Sequence, residues 1–448
     1  MRSLVPPAAV AIVACAVQSL VLAEPVRPPN VVVIVSDDAG YADFSMHGGF
    51  PTPRIDSIAA EGIRFTDAYV SGCVCSPTRA GLLTGRYQQR FGHETNIPPV
   101  LSERNGLPLT ETTFADRMRA GGYRTKAIGK WHLGYAPTFH PLSRGFDEFY
   151  GFLQGSRSYF PIAAPTRLNE LMRGREAVPE TFAYLTDELA DEAAGWIEAR
   201  RDHPFFLYVA FNAVHSPNET LPADLDRGRR LAPQRAEVAA MTLALDRAVG
   251  RILDALATHS LADDTLVVFV NDNGGPPGHD NGGLRGRKGT MWEGGIRVPC
   301  AMRWPARLPR GRAVSEPVIA LDILPTALAA AGIAFESSTL DGVDLLPFLT
   351  GATAAAPHDV LHWRQGSRWA VRAGTLKLVK ADEGRARLFD LAVDRGESHD
   401  LAADRRDDVE RLRGLHEAWS GEMAAPLVWD GGERTRKARR QAAKSALN

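Results

Sequence analysis

The residues best suited to chemistry fall in three groups. The first is the stretch Cys73-Val74-Cys75-Ser76-Pro77-Thr78-Arg79-Ala80-Gly81-Leu82-Leu83-Thr84-Gly85. Ser76 suits a helix N-cap, because its hydroxyl can accept a backbone N–H that has no partner in the helix. Pro77 suits the first helical position, where no N–H is needed, and Gly85 suits the stop. Cys75 then sits just before a helix N-terminus, where bare N–H groups and the dipole favour an anion. A thiol there is expected to be exposed and acidified. The second group is oxygen donors: Asp37-Asp38 after one apolar run, and Asp272-Asn273 after another. Adjacent carboxylates repel unless a cation compensates them. Hard oxygens paired at two strand ends suit calcium, which takes several of them at about 2.3–2.6 Å. No Cys/His spacing of the zinc kind lies nearby. The third group is Lys130 and His132, which in extended chain would point the same way, with His215 and the glycine-flanked Lys288.

The elements that must position these groups follow from hydrophobic pattern. Asn30-Val31-Val32-Val33-Ile34-Val35 is a continuous β-branched run, expected to be a strand buried on both faces of a parallel sheet. Further strands are expected over 123–129, 204–211 and 265–270, with a short one over 63–70. All three chemical groups except the Cys75 helix and Lys288 then lie just past the C-terminal ends of four strands, where open α/β sheets bind ligands. Helices are expected over 53–62, 113–120, 186–200, 236–256 and 318–331. The 142–180 stretch reads as loop-rich, either shaping a binding site or forming a surface insertion. His140, Arg157, Tyr159, His279 and Trp292 are candidates to line a substrate pocket. After a linker over 353–357, strands over 368–372, 376–379 and 387–391 and a helix over 405–423 predict a small α+β domain.

At 448 residues the chain can bury a large core. A net charge of -1 argues against a nucleic-acid binder or a polybasic membrane binder. The N-terminus reads as a signal peptide: Arg2, an apolar 4–22 stretch, and Val21-Leu22-Ala23 as cleavage site. Lipoprotein processing at Cys15 is the alternative. Pro6 and Pro7 argue against a transmembrane helix there, and no later segment is long and apolar enough to span a bilayer. The expected organisation is a signal peptide over 1–23, a catalytic domain over 24–352, a C-terminal subdomain over 353–430 and a basic tail over 431–448, in a protein exported to the periplasm or secreted. Cys73 and Cys300 could pair in an oxidising compartment or remain free buried thiols.

Cys75-Ser76-Pro77-Thr78-Arg79 has the form Cys-x-Pro-x-Arg and resembles the signature of type I, formylglycine-dependent sulfatases. Asp37-Asp38, Gly129-Lys130-Trp131-His132-Leu133-Gly134, His215 before Pro217, Asp272-Asn273-Gly274 and Gly286-Arg287-Lys288-Gly289-Thr290 resemble further blocks of that family. Leu388-Phe389-Asp390-Leu391 with Glu397 is similar to its C-terminal subdomain. The resemblance implies an α/β fold of the alkaline phosphatase kind, with a central mostly parallel sheet between helices and a small C-terminal antiparallel sheet. It implies that a formylglycine-generating enzyme converts Cys75 to formylglycine (3-oxoalanine). It implies one Ca2+ held by Asp37, Asp38, Asp272 and Asn273 together with the residue at 75. Lys130 and Lys288 would clamp sulfate oxygens, Arg79 would orient the formylglycine hydrate, His215 would be general acid and His132 the base that releases sulfate. Ser156 or Ser158 could supply one more polar contact. The implied substrate is a sulfated small molecule or glycan. A formylglycine-dependent phosphonate or phosphate ester hydrolase, or a non-catalytic binder of sulfated glycans, are the other readings.

Overall fold

The computed structural model describes residues 27–431, so the expected signal peptide, Cys15 and all but the first residue of the basic tail lie outside it. A ten-stranded sheet runs through the large domain. Its centre is four adjacent strands, in the order Thr265–Asn271, Asn30–Ser36, Phe205–Ala210, Arg124–Lys130. All three pairings among them are parallel. Ser36 lies opposite Asn271, Val35 opposite Ala210, and Gly129 opposite Ala210. These shared registers bring the four C-terminal ends to one rim. Glu148–Phe152 extends the parallel part beyond Arg124–Lys130, and Cys300–Arg303 pairs antiparallel to Thr265–Asn271.

The β-branched run explains the layering. Successive strand side chains point to opposite faces. Val31, Val33 and Val35 join one core, with Leu82 and Leu83 of the helix Cys75–Thr84 and Phe114 and Met118 of the helix Phe114–Ala120. Val32 and Ile34 join the other, with Leu189 and Ile197 of Leu185–Arg200 and Leu245 and Val249 of Ala236–Thr258. Helices therefore cover both faces, the α/β architecture expected. Thr113 closes a capping box with Asp116 at the start of Phe114–Ala120, which fixes where that helix begins.

Three expected elements differ. The 63–70 strand is broken into Ile63–Phe65, in the main sheet, and Ala68–Tyr69, which pairs with Val318–Ile319 in a separate ladder. The helix expected over 318–331 therefore starts only at Ile323. Its two leading residues are β-branched and pair as a strand, and the Asp322 carboxylate accepts the Ile319 N–H at 2.8 Å. The 142–180 stretch carries Glu148–Phe152 and the hairpin strands Met172–Arg173 and Glu176–Ala177. The helix Pro222–Leu231 and the strand Val360–Gln365 were not expected from pattern.

Towards the C-terminus Val360–Gln365, Arg368–Ala373, Leu376–Lys380 and Arg387–Asp390 form a four-stranded antiparallel sheet, packed by the helix Arg406–Gly421. It shares a core with the large domain: Trp363, Phe389 and Trp419 pack with Tyr69, Trp292, Ile296 and Leu321. Among the described residues, no helix is long and apolar enough to cross a membrane.

Candidate active site

The helix Cys75–Thr84 is buried along its whole length and points its N-terminus at the rim. Val74, not Ser76, is its N-cap, and no side chain caps it. Ser76 lies within the first turn. Its hydroxyl is 2.7 Å from both the His132 carbonyl and His93 Nε2, and its backbone N–H donates to Asn96 Oδ1 at 2.9 Å. Gly85 ends the helix in left-handed backbone (φ 65°), as expected. The thiol of Cys75 departs from expectation. It is 1% exposed rather than accessible, and burial, then Asp272 and Asp37, push it well above the ordinary thiol range. The sheet places carboxylates against the helix start, and their charge and the burial outweigh the dipole.

Asp37, Asp38, Asp272 and Asn273 converge from two neighbouring strand ends, and all are buried. Cys75 Sγ lies 3.5 Å from Asp37 Oδ1. Asp38, in left-handed backbone (φ 64°), accepts from Asn273 Nδ2 at 2.7 Å. Its backbone N–H faces Asp272 Oδ1 at 3.4 Å. The negative charge is matched by cations from three other elements. Arg79 donates through Nε (3.1 Å) and Nη2 (2.9 Å) to Asp272 Oδ2, and through Nη1 to the Lys130 carbonyl (3.0 Å). Lys130 Nζ contacts Asp37 Oδ2. Lys288 Nζ lies 2.7 Å from Asp38 Oδ1. Burial alone would raise Asp37, but Lys130, His215 and Arg79 hold it below the usual carboxylate range.

The two histidines sit differently. His132 is not in extended chain: its φ is 58°, so the same-face argument from spacing fails, yet the turn still brings it to the rim. It is buried, and its Nδ1 has no hydrogen-bond partner. Burial, then Lys130 and Arg79, push its imidazole well below the ordinary range, so it is neutral. His215 is partly open to solvent. Its Nδ1 lies 2.6 Å from the Ser216 carbonyl, and its Nε2 lies 3.5 Å from Asp38 Oδ2. A carbonyl only accepts, so Nδ1 carries the hydrogen.

The donor set suits a hard dication. It offers carboxylate and amide oxygens, and Asn273 Oδ1 is buried with no hydrogen-bond partner, an acceptor that ligation would satisfy. Asp37, Asp38, Cys75 and His215 can each bring a ligand atom within 4.8 Å of the others. All the expected site residues thus meet on one rim. The expected pocket-lining residues do not join them as open contacts. His140, Arg157, Tyr159 and Trp292 are buried, and His279 is partly buried with its side chain turned inward. Arg157 pairs with Glu180 at 2.6 Å, His279 with Asp43 at 2.7 Å, and Trp292 lies under the Arg285 guanidinium. Ser156 Oγ donates to the Ser216 carbonyl (2.8 Å) and Ser158 Oγ to Glu219 (2.7 Å). Cys73 and Cys300 are free thiols. Asn271 is not among the expected site residues, although its amide stitches the two acidic loops. It accepts from Ser36 Oγ at 2.7 Å and donates to the Ala39 carbonyl at 2.9 Å. A polar residue closing an otherwise apolar strand was the available signal.

The family model described as Sulfatase matches residues 29–333. Arylsulfatase A of Homo sapiens is 35% identical over 433 residues, covering 84% of this chain and 83% of that protein. N-acetylgalactosamine-6-sulfatase of Canis lupus familiaris is 32% identical, covering 78% of this chain and 71% of that protein. Among solved structures, Ps i-CgsB in complex with k-i-k-neocarrahexaose superposes with a TM-score of 0.86 at 33% identity, over 93% of this chain and 98% of that one. With the four-strand rim in place, these likenesses mean that the chain belongs to the formylglycine-dependent sulfatases of the alkaline phosphatase superfamily and is a hydrolase of sulfuric esters.

Proposed function

We propose that this enzyme releases sulfate from a sulfated carbohydrate, using formylglycine made from Cys75 by a formylglycine-generating enzyme, with Ca2+ held by Asp37, Asp38, Asp272 and Asn273. The observation that carries the reading is the charge balance on the rim. Buried carboxylates at Asp37, Asp38 and Asp272 face Arg79, Lys130 and Lys288. A dication and a sulfate monoester together add little net charge to such a set. The carbohydrate preference is supported by a relative that acts on N-acetylgalactosamine 6-sulfate by name, and by the neocarrahexaose complex of the structural neighbour.

A bound calcium ion would supply positive charge to a sulfate oxygen and polarise sulfur. Formylglycine at position 75, as its hydrate, supplies a nucleophile with a second hydroxyl, which serine lacks. The remaining work belongs to the chain. Lys130 and Lys288 hold sulfate oxygens as point charges. Arg79 locks Asp272 and the Lys130 carbonyl and so fixes the strand ends around position 75. His215, with its Nδ1 hydrogen committed to Ser216, presents Nε2 to deliver a proton to the leaving oxygen. His132, neutral, takes the proton whose removal frees sulfate. In the same reading 1–23 directs export, 24–352 is catalytic and 353–430 is a covering subdomain.

The test is a peptide mass spectrum across residue 75, on protein from a host with a formylglycine-generating enzyme, with turnover measured on matched aryl sulfate, phosphonate and phosphate esters and a panel of sulfated glycans. Aldehyde at 75, with sulfate release proportional to its fraction and lost in Cys75→Ala, is expected. Equal or faster phosphoryl turnover, or an unconverted thiol in active protein, overturns the reading.

A further inference from the structure

The segment Gly155 to Tyr159 was expected to offer the substrate a polar contact. The hydrogen bonds that Ser156, Ser158 and Tyr159 donate run instead to the segment that carries His215. Tyr159 is wholly buried, and its hydroxyl lies 2.6 Å from the Asn212 carbonyl and 2.8 Å from the carbonyl of His215 itself. The Tyr159 N–H and Ser158 Oγ both donate to Glu219 Oε2, at 2.8 and 2.7 Å. Ser156 Oγ donates to the Ser216 carbonyl, the same oxygen that accepts His215 Nδ1. Each of these contacts therefore falls within three residues of His215 or on Glu219, four residues beyond it.

His215 needs such an external hold. It lies beyond the end of the strand Phe205–Ala210, where the sheet ladder no longer sets the backbone. The backbone links back to the sheet that the loop does have, Asp37 N–H to Ala213 and Val214 N–H to Asp37, lie before His215. On the far side the fixed point is Tyr159, anchored by its ring against Tyr184 at 5.4 Å between centroids. A buried phenol placed between two carbonyls costs desolvation unless it is bonded, and here both acceptors belong to the histidine loop.

We propose that Tyr159 is the positioning residue for His215, setting where Nε2 stands relative to the leaving-group oxygen. The proposal rests on the reading of His215 as proton donor given above. Tyr159 touches no substrate. It acts on the backbone of the residue that does, so its removal lowers proton delivery and leaves the attack on sulfur intact. Proton delivery matters little when the departing alcohol is acidic and much when it is not. Leaving-group dependence therefore separates this role from general loosening of the fold.

The experiment uses the mature, formylglycine-bearing enzyme and a series of aryl sulfates of rising phenol pKa. kcat/KM is measured for wild type, His215→Ala, Tyr159→Phe and Tyr184→Phe, with melting temperatures for each. Tyr184→Phe is the control: it removes a hydroxyl that bonds the Glu219 carbonyl, in the same segment but away from His215. His215→Ala is expected to lose about 10²–10⁴-fold on the poorest leaving groups and far less on the best. Tyr159→Phe is expected to lose roughly tenfold on the poorest and no more than about twofold on the best, a fraction of that effect. Tyr184→Phe is expected to melt lower with an unchanged slope. If His215→Ala steepens the slope but Tyr159→Phe loses activity evenly across the series, or not at all, the positioning role is overturned while the proton-donor reading stands. If His215→Ala leaves the slope unchanged, the proton-donor reading fails, and the proposal built on it fails with it.

Discussion

Arg79 shows how much one side chain can decide at this rim. Its guanidinium spends its donors on Asp272, the Lys130 carbonyl and Asp37, all out of solvent. Arg79→Met would take from the buried Asp272 carboxylate its guanidinium partner, and removing one partner of a buried pair costs about 3–5 kcal/mol. Denaturant titration should show that loss, and a change below about 1 kcal/mol would mean that the pair is solvated. Gly155 makes a second residue-scale case. A Cβ there would stand 2.5 Å from His132 Cε1 and 2.6 Å from its Nε2. Gly155→Ala must therefore push the imidazole aside, and misplacing a reacting group by about 1 Å can cost on the order of 10²-fold. If His132 serves the second half of the reaction, the variant should release one equivalent of alcohol quickly and then turn over slowly. A uniform slow rate with no burst would place His132 elsewhere in the reaction.

At the scale of elements, the short loop carrying Lys288 is held from the C-terminal side. The Glu293 N–H donates to Glu397 Oε2 at 2.7 Å, and Lys377 lies between the Glu293 and Glu397 carboxylates at 2.8 and 2.9 Å. Two carboxylates share one ammonium. Glu293 has the stronger pairing, helped by Arg297, and burial pushes Glu397 up to about 7 against the pull of Lys377, with Glu293 adding to the rise. The folded state thus holds a proton on Glu397 more tightly than the unfolded chain does. Its contribution to stability is full below the usual value of 4.5 and is lost as the pH rises through about 7. Glu397→Gln keeps an acceptor for the Glu293 N–H but cannot ionise. Its melting temperature relative to wild type should rise between pH 5 and pH 8, and a pH-independent difference would refute the assignment.

For the whole molecule, the question is whether the antiparallel sheet stands alone. Trp363 is fully buried in the core it shares with Tyr69, Trp292 and Ile296, and its Nε1–H donates to the Val70 carbonyl at 2.7 Å. The Asp67 carboxylate also binds Arg297 of the large domain and Arg372 of the small sheet. With apolar and ionic contacts both crossing the boundary, calorimetry should record one cooperative transition. Trp363→Ala, costing about 3–5 kcal/mol as a large-to-small core change, should lower that single transition. Two resolved transitions, with only one of them moved, would show separate domains.

What the sequence by itself determined is what local chemistry encodes. Continuous apolar runs made the four central strands legible, because a strand buried on both faces has no polar side to show. The residue types after them made the oxygen donors, cations and histidines legible, and Cys75-x-Pro77-x-Arg79 with its companion blocks carried the family. The tertiary structure decided the rest. Strand order and register, which no local pattern sets, placed the ends of Asn30–Ser36 and Thr265–Asn271 side by side and buried Cys75 against their carboxylates. The helix start at Val74 rather than Ser76 followed from His132 and His93 claiming the Ser76 hydroxyl from remote segments. Val318 and Ile319 left their helix because Ala68 and Tyr69 offered a ladder. Tyr159, Arg157 and His279 looked like pocket residues because polar aromatic and basic side chains usually face solvent. Only the fold shows that each has a partner elsewhere in the chain, and in the case of Tyr159 that the partner is the loop carrying His215.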